Sequence, residues 1–239
     1  MLAEAVSHTG LVRRNNEDAY VVVPRLNLFA VADGMGGHAA GEVASKLAVN
    51  TIAEYIRQYK GSRQPGQVLS DAVTAANREI FSQANAKPSQ LGMGTTLSAV
   101  WIPDDHAYLA HVGDSRIYLF RDNNIQLLTK DHSFVSEMVR KGNITAEEAK
   151  NHPRRNLLTR ALGTETDVEV DLSELSLLQD DLLLCCTDGL SSIVSSDELC
   201  AILQNKTKIS EKLKQMVDLA LARGGQDNIT VLLVYNFKR

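Results

Sequence analysis

Cysteine is scarce in this 239-residue chain: two of the three stand side by side, Cys185 and Cys186, and the third, Cys200, is distant. That arrangement excludes a disulfide framework and a cysteine-rich zinc site. The adjacent pair reads as small apolar filling of a buried strand, because a free thiol packs like a small hydrophobe, and a reducing compartment fits. Long apolar runs are also missing. The longest, such as 182–186, are strand-sized and far below the roughly 20 residues a membrane helix requires. No charged stretch followed by an apolar one stands at Met1, so no secretory leader is expected. A basic surplus is absent as well: 25 Lys and Arg against 29 Asp and Glu give a net charge of −4, and the cations are scattered, which disfavours a nucleic-acid backbone as partner. The six histidines lack the paired spacing of a zinc hydrolase. The expectation is a cytoplasmic monomer, with neither membrane nor nucleic acid as partner.

What is present is an ordinary globular balance, 44% hydrophobic and 23% charged residues, and no internal repeat. Hydrophobic periodicity predicts strands at 2–7, 19–23, 28–32, 95–102, 106–111, 116–121, 125–128, 181–186 and 229–235. Two long Ala-rich helices are predicted over 39–59 and 65–85. Two capping boxes, Ser195 with Glu198 and Thr145 with Glu148, announce helices near 197–204 and 146–151, and a further helix is expected at 211–223. Strands joined by short links, with helices collected in blocks, argue for antiparallel sheets covered by helices on their outer faces. The chain reads as one domain over 1–239. The polar, weakly periodic stretch 131–162 interrupts it as a functional loop, a small subdomain or a solvated insertion.

One kind of locus recurs: an Asp at the end of an apolar strand, followed by a glycine read as a tight turn. Asp33-Gly34 follows 29–32 and Asp188-Gly189 follows 182–187. Glu17-Asp18, Asp114 and Asp227 stand at further strand ends. Each alone is a turn signal. Together they bring carboxylates to one edge of a sandwich, where mutual repulsion calls for cations, and oxygen donors select hard Mg²⁺ or Mn²⁺. Without a side chain, Gly34 lets its carbonyl approach such an ion. Two neighbouring cations can acidify a shared water and aim it at phosphorus. Arg13 and Arg14, just ahead of the acids, are placed to supply a guanidinium that holds a phosphoryl group through two hydrogen bonds.

The ordered set Arg13…Glu17-Asp18, Asp33-Gly34-Met35-Gly36-Gly37-His38, Gly94-Thr95-Thr96, Gly113-Asp114-Ser115-Arg116, Thr187-Asp188-Gly189 and Asp227-Asn228-Ile229-Thr230 resembles the bacterial branch of the type 2C metal-dependent serine/threonine protein phosphatases. The resemblance runs from Thr9 to Val234. It implies an α+β fold, a four-layer αββα sandwich of two antiparallel β-sheets flanked by pairs of helices, with 131–162 as a helical flap subdomain. It implies hydrolysis of phosphoserine and phosphothreonine in proteins, the products of a serine/threonine kinase, by in-line attack of a metal-bridging hydroxide without a phosphoenzyme. By motif position, Asp33 bridges two core ions of Mn²⁺ or Mg²⁺, Gly34 offers its carbonyl, and Asp188 and Asp227 complete the centre. Asp18 and Glu17 hold metal-bound waters. Asp114, with Asp188, matches the acid at a third, weaker ion, and Arg13, rather than Arg14, matches the phosphate-gripping arginine. Many eukaryotic members carry a histidine, the proposed general acid, where this chain has Met35. His38 or a water on the third ion is the alternative here. The basic residues Arg140, Lys141, Lys150, Arg154 and Arg155 of the flap are expected to help choose substrates. Two other readings stay open at this point: a catalytically silent phosphoprotein-binding module of the same fold, and another two-metal phosphoester hydrolase such as a diesterase or nuclease.

Overall fold

The structure is a computed structural model that describes residues 1–36 and 40–236. One antiparallel sheet contains β1 (Leu2–His8), β7 (Arg116–Arg121), β8 (Asn124–Leu127), β10 (Leu182–Cys186) and β11 (Ile229–Tyr235), in the order β1-β11-β10-β7-β8. The other contains β2 (Asp18–Val23), β3 (Leu28–Met35), β5 (Leu97–Trp101), β6 (His106–Val112) and β9 (Asp171–Ser176), in the order β2-β3-β5-β6-β9, and the two-residue β4 (Gly94–Thr95) pairs with the end of β3. The two long predicted helices are α1 (Ala40–Arg57) and α2 (Pro65–Ala86). Further along the chain come α3 (Phe134–Arg140), α4 (Ala146–Lys150), α5 (Asp188–Ser191), α6 (Ser196–Gln204) and α7 (Ile209–Ala222). Both predicted capping boxes form at the starts of α4 and α6. Among the described residues no helix is long and apolar enough to cross a membrane.

The period-two alternation of the central strands sorts their side chains into three apolar layers. In β3, Leu28, Ala30 and Ala32 pack with Ala44, Ala48, Val73 and Ile80 of α1 and α2. The intervening Phe29 and Val31 face the other sheet and meet Ile117, Leu119, Leu183 and Leu232. In β10, Leu183 and Cys185 join that layer between the sheets, whereas Leu182, Leu184 and Cys186 pack against Leu199, Leu213 and Met216 of α6 and α7. The result is the expected stack of helices, sheet, sheet and helices. Cys185 and Cys186 are buried free thiols on opposite faces of one strand, and burial pushes the Cys186 thiol up to about 12, so both are inert filling, as read.

The elements differ from the sequence reading in several places. The predicted strand 95–102 divides into β4 and β5 at Thr96, whose hydroxyl, in place of a backbone carbonyl, accepts from the Asp33 amide of β3. Strand β9 was not predicted. Its sequence Asp-Leu-Ser-Glu-Leu-Ser puts Leu172 on one face and Leu175 on the other, so there is no alternation to see, and it is an edge strand with Leu172 exposed. Helix α3 lies in the weakly periodic stretch, started by the Ser133 hydroxyl accepting from the Ser136 amide.

Candidate active site

The acids come from both sheets at one edge of the sandwich. Asp18 is the first residue of β2 and pairs across the ladder with Asp33 near the end of β3. Asp188 directly follows Thr187 at the exit of β10, Asp227 stands two residues before β11, and Asp114 occupies the β6–β7 turn, where Gly113 takes φ +104°.

The glycines after Asp33 and Asp188 do not make turns. β3 runs straight on through Asp33-Gly34-Met35, and Gly189 lies inside α5. Their role is close approach. A Cβ on Gly34 would fall 2.1 Å from the Gly41 carbonyl oxygen, and one on Gly189 would fall 1.9 Å from the Asn228 carbonyl oxygen. Gly34 thereby lets β3 press against the first turn of α1, and Gly189 lets α5 press against the strand entry that carries Asp227.

A hydrogen-bond lattice fixes the segments that carry the carboxylates, and two of the carboxylates directly, Asp18 and Asp227. The Asp33 amide donates to Thr96 Oγ1 at 2.9 Å, the Thr96 amide returns a bond to the Asp33 carbonyl at 2.9 Å, and Thr96 Oγ1 meets Ser115 Oγ at 2.6 Å beside Asp114. Thr187 Oγ1 donates to Asp18 Oδ2 at 2.8 Å while accepting from the Thr230 amide at 3.0 Å. Asn228 clasps the β1–β2 loop: its Nδ2 donates to the carbonyls of Thr9 and Asn15, each at 2.9 Å, and its Oδ1 accepts from the Glu17 amide at 2.7 Å. Arg13, on that loop, donates to Asp227 Oδ2 at 2.8 Å.

Electrostatically the edge is strained. Burial, followed by the charges of Asp188 and Asp227 and opposed by the Thr187 and Thr230 hydroxyls, pushes Asp18 up to about 7. Burial and the neighbouring Asp18 and Asp188 push Asp33 far above the carboxylate range. Burial and Asp188 take Asp114 to about 7. Asp188 is raised by burial and Asp227, and its hydrogen bond with Asp33 acts the other way. Glu17 is raised by burial against the lowering charge of Arg13. Asp18 Oδ1 and Asp188 Oδ1 are buried with no hydrogen-bond partner among the described residues, a costly condition for carboxylate oxygens.

Crowded carboxyls with orphaned oxygens fit a hard cation centre. Among the described residues no three His, Cys, Asp or Glu side chains enclose an ion by themselves, and Asp227 is turned toward Arg13. The donor set therefore fits ions completed by water and backbone carbonyl, as Mg²⁺-type centres are, rather than an all-protein cage.

A cleft of about 570 Å³ opens from this edge, lined by Asp114, Asp188 and Asp227 on one side and by Val135, Val139 and Ala149 of the 131–162 segment on the other. Of that segment's basic residues, Lys150 and Arg155 line the cleft. Lys150 there pairs with Glu147 at 2.8 Å; away from the cleft lining, Lys141 pairs with Glu137, Arg154 lies over the Phe134 ring, and Arg140 reaches the Asp131 carbonyl. His38 lies outside the described residues. Arg14 is exposed and, unlike Arg13, has no ion pair among the described residues.

Sequence reasoning left several supports without a role. Thr96, Ser115, Thr187 and Asn228 all lay inside the quoted motifs; the last three stand next to an acid, and that adjacency was the available signal, whereas Thr96 has no acidic neighbour in sequence. Arg116, which holds Asp131 through bonds of 3.0 and 2.7 Å, and His132, whose Nδ1 accepts from the Gly113 amide at 3.1 Å, required the fold.

The protein phosphatase 2C family profile matches residues 9–233. The serine/threonine phosphatase stp of Listeria welshimeri is 40% identical over 240 residues, covering 98% of this chain and 95% of that protein. The serine/threonine protein phosphatase PstP of Mycobacterium tuberculosis is 43% identical over 229 residues, covering 96% of this chain and 44% of that longer protein. The crystal structure of M. tuberculosis PstP superimposes with a TM-score of 0.92 at 40% identity, over 100% of this chain and 99% of that one. A PstP catalytic domain in complex with two manganese ions gives 0.90 at 40% identity, over 99% and 98%. A full-length profile match, 40% identity and a shared fold, around an edge that gathers the motif acids, lead to one conclusion: the chain belongs to the protein phosphatase 2C family and is a serine/threonine protein phosphatase that acts on phosphoproteins.

Proposed function

We propose that Asp33, Asp188 and Asp227, with the Gly34 carbonyl, hold two Mn²⁺ or Mg²⁺ ions at this edge, and that Arg13 grips the phosphate of phosphoserine and phosphothreonine. Asp18 and Glu17 hold waters of that centre, and Asp114 joins Asp188 at a third, weaker site. The observation that carries the reading is the crowd of buried carboxyls with raised proton affinity, two with orphaned oxygens. When bound, the cations neutralise this charge and supply an acidified water as nucleophile at neutral pH.

The chain's own residues do the rest. Thr96 and Thr187 keep Asp33 and Asp18 in place, so little reorganisation is left when charge builds on the phosphoryl oxygens. Arg13 exchanges the Asp227 carboxylate for phosphate, another anion that offers a guanidinium two acceptor oxygens. The 131–162 segment acts as a flap that walls the cleft, with Lys150 and Arg155 nearest the incoming polypeptide, and 1–239 works as one catalytic domain. The substrates are products of a serine/threonine kinase. The setting we propose is the cytoplasm, with the chain a monomer, in keeping with three free thiols.

The test is phosphate release from an aryl phosphate and a phosphothreonine peptide with Mn²⁺, Mg²⁺ or chelator, beside Asp188→Asn. Release that needs the cation and disappears in the variant is expected. A folded protein silent with every cation would instead favour the binding-module reading.

A further inference from the structure

Leu11 and Val12 are 65% and 67% exposed, and among the described residues they are the only adjacent large apolar residues both above 60%. Single exposed apolar side chains need no explanation. An adjacent pair on a tightly held loop does. The Leu11 amide donates to the Gly225 carbonyl at 2.7 Å, Asn228 fastens the loop at Thr9 and Asn15, and Arg13 is tied to Asp227. The backbone is thus pinned at both ends and in the middle, and the two side chains are held outward. Leu11 lies against Gly225, while the next two residues, Gln226 and Asp227, line the cleft. The apolar pair therefore continues the rim of the active-site cleft on the side of Arg13.

We propose that Leu11 and Val12 form an apolar lip that binds an apolar side chain of the substrate polypeptide within about three residues of the phosphorylated one. The proposal rests on the reading of Arg13 as the phosphate grip. Leu11 lies against Gly225 and the Arg13 guanidinium against Asp227, two residues on, so at most about 7 Å of backbone separates what the lip and the phosphate grip each touch, a distance that an extended substrate covers in two or three residues. The occupant is a polypeptide because the substrates of this chain are phosphoproteins. It is apolar there because neither the Leu11 nor the Val12 side chain can pair with charge, while burying two aliphatic side chains against another is favourable.

The experiment compares the Mn²⁺-loaded chain with Leu11→Ser/Val12→Ser on phosphothreonine peptides bearing Leu or Ser at each position within three residues of the phosphothreonine, and on an aryl phosphate. The wild type is expected to favour Leu at one or more positions through a KM about tenfold lower. The variant loses that preference and keeps its aryl phosphate turnover and melting temperature. Absence of any Leu preference in an otherwise active wild type overturns the lip. So does a loss on aryl phosphate as large as that on peptide, which marks damage to the site itself. A wild-type dimer in sedimentation that the variant dissolves assigns the lip to a second copy and overturns the substrate assignment. Loss of aryl phosphate turnover in Arg13→Ala smaller than twofold sinks the reading of Arg13 and the lip with it, whereas a failed lip leaves that reading intact.

Discussion

Removing the cations should make this protein less stable as pH rises from 6 to 8. Asp18 and Asp114 each hold a proton to about pH 7 in the folded chain, against an ordinary value of 3.8. Groups whose folded proton affinity is raised stabilise the fold while protonated, and that contribution disappears as pH climbs through the folded value. Between pH 6 and 8 the unfolded carboxyls are already ionised, so each of the two forfeits about 1.4 kcal/mol. His111 works in the opposite sense. Buried between Ser98 and the Lys130 carbonyl, it is depressed to about 4 from 6.5, and the unfolded chain's loss of its proton above pH 6 returns about 0.8 kcal/mol. The net loss is about 2 kcal/mol before Asp33, also raised, is counted. In a chain of this size that is a fall of about 4–8 °C in melting temperature. Thermal unfolding in chelator across this range measures it, and Mn²⁺ should flatten or invert the slope, because ions replace protons among the carboxylates. A melting temperature in chelator that is level or rises from pH 6 to 8 refutes the electrostatic account of this edge.

Arg13→Lys should lower kcat/KM on a phosphopeptide about 10-fold or more, chiefly through KM, since an ammonium cannot make the paired contacts of a guanidinium; steady-state kinetics on wild type and variant decide it. Gly34→Ala should cost about 3 kcal/mol or more in urea unfolding, or prevent folding, because the added methyl meets backbone rather than a movable side chain. Arg121→Met, far from the site, should destabilise by about 2 kcal/mol by stranding the buried Asp181 carboxylate that it holds at 2.8 and 2.6 Å, with kcat unchanged. Asn228→Ala should lower kcat/KM about 10-fold with a smaller effect on stability, because it releases the loop carrying Arg13 and Glu17; paired kinetics and urea titration separate the two effects.

The layers were legible in the sequence because short links join the strands and the helices are collected in blocks, and the capping boxes at Thr145 and Ser195 marked two helix starts correctly. Which face each of residues 28–32 takes was not legible, since all five are apolar and all five are buried. What escaped lacks a local pattern. β9 is a strand because β6 offers it an edge, as in the register of His106 with Ser176, and its own leucines do not alternate. The acids could be read as a set because each follows or precedes a strand. Their partners could not be read as partners: the bond from Thr187 to Asp18 joins residues 169 apart in sequence, and Asn228 reaches Glu17 across 211.

The Asp-Gly pairs show how a correct locus can be reached through the wrong conformation. A turn was inferred because glycine after aspartate most often supplies a positive φ. At Gly34 and Gly189 the backbone is an extended strand and a helix, in neither of which φ requires glycine, so the cause of the residue must lie across space. It does: each faces a carbonyl that a methyl group would strike. The same closeness that forbids a side chain brings helix α1 against the end of β3 and the entry to β11 against α5. Asp33, Asp188 and Asp227 are thus packed nearer than their charges favour. Glycine here enforces the crowding that makes the edge a place for cations. It follows that Gly189→Ala should relax the edge as well as destabilise the fold, and lower the Mn²⁺ affinity of whatever folded protein remains. Calorimetric titration with Mn²⁺ would refute this if that protein bound the ion as tightly as wild type.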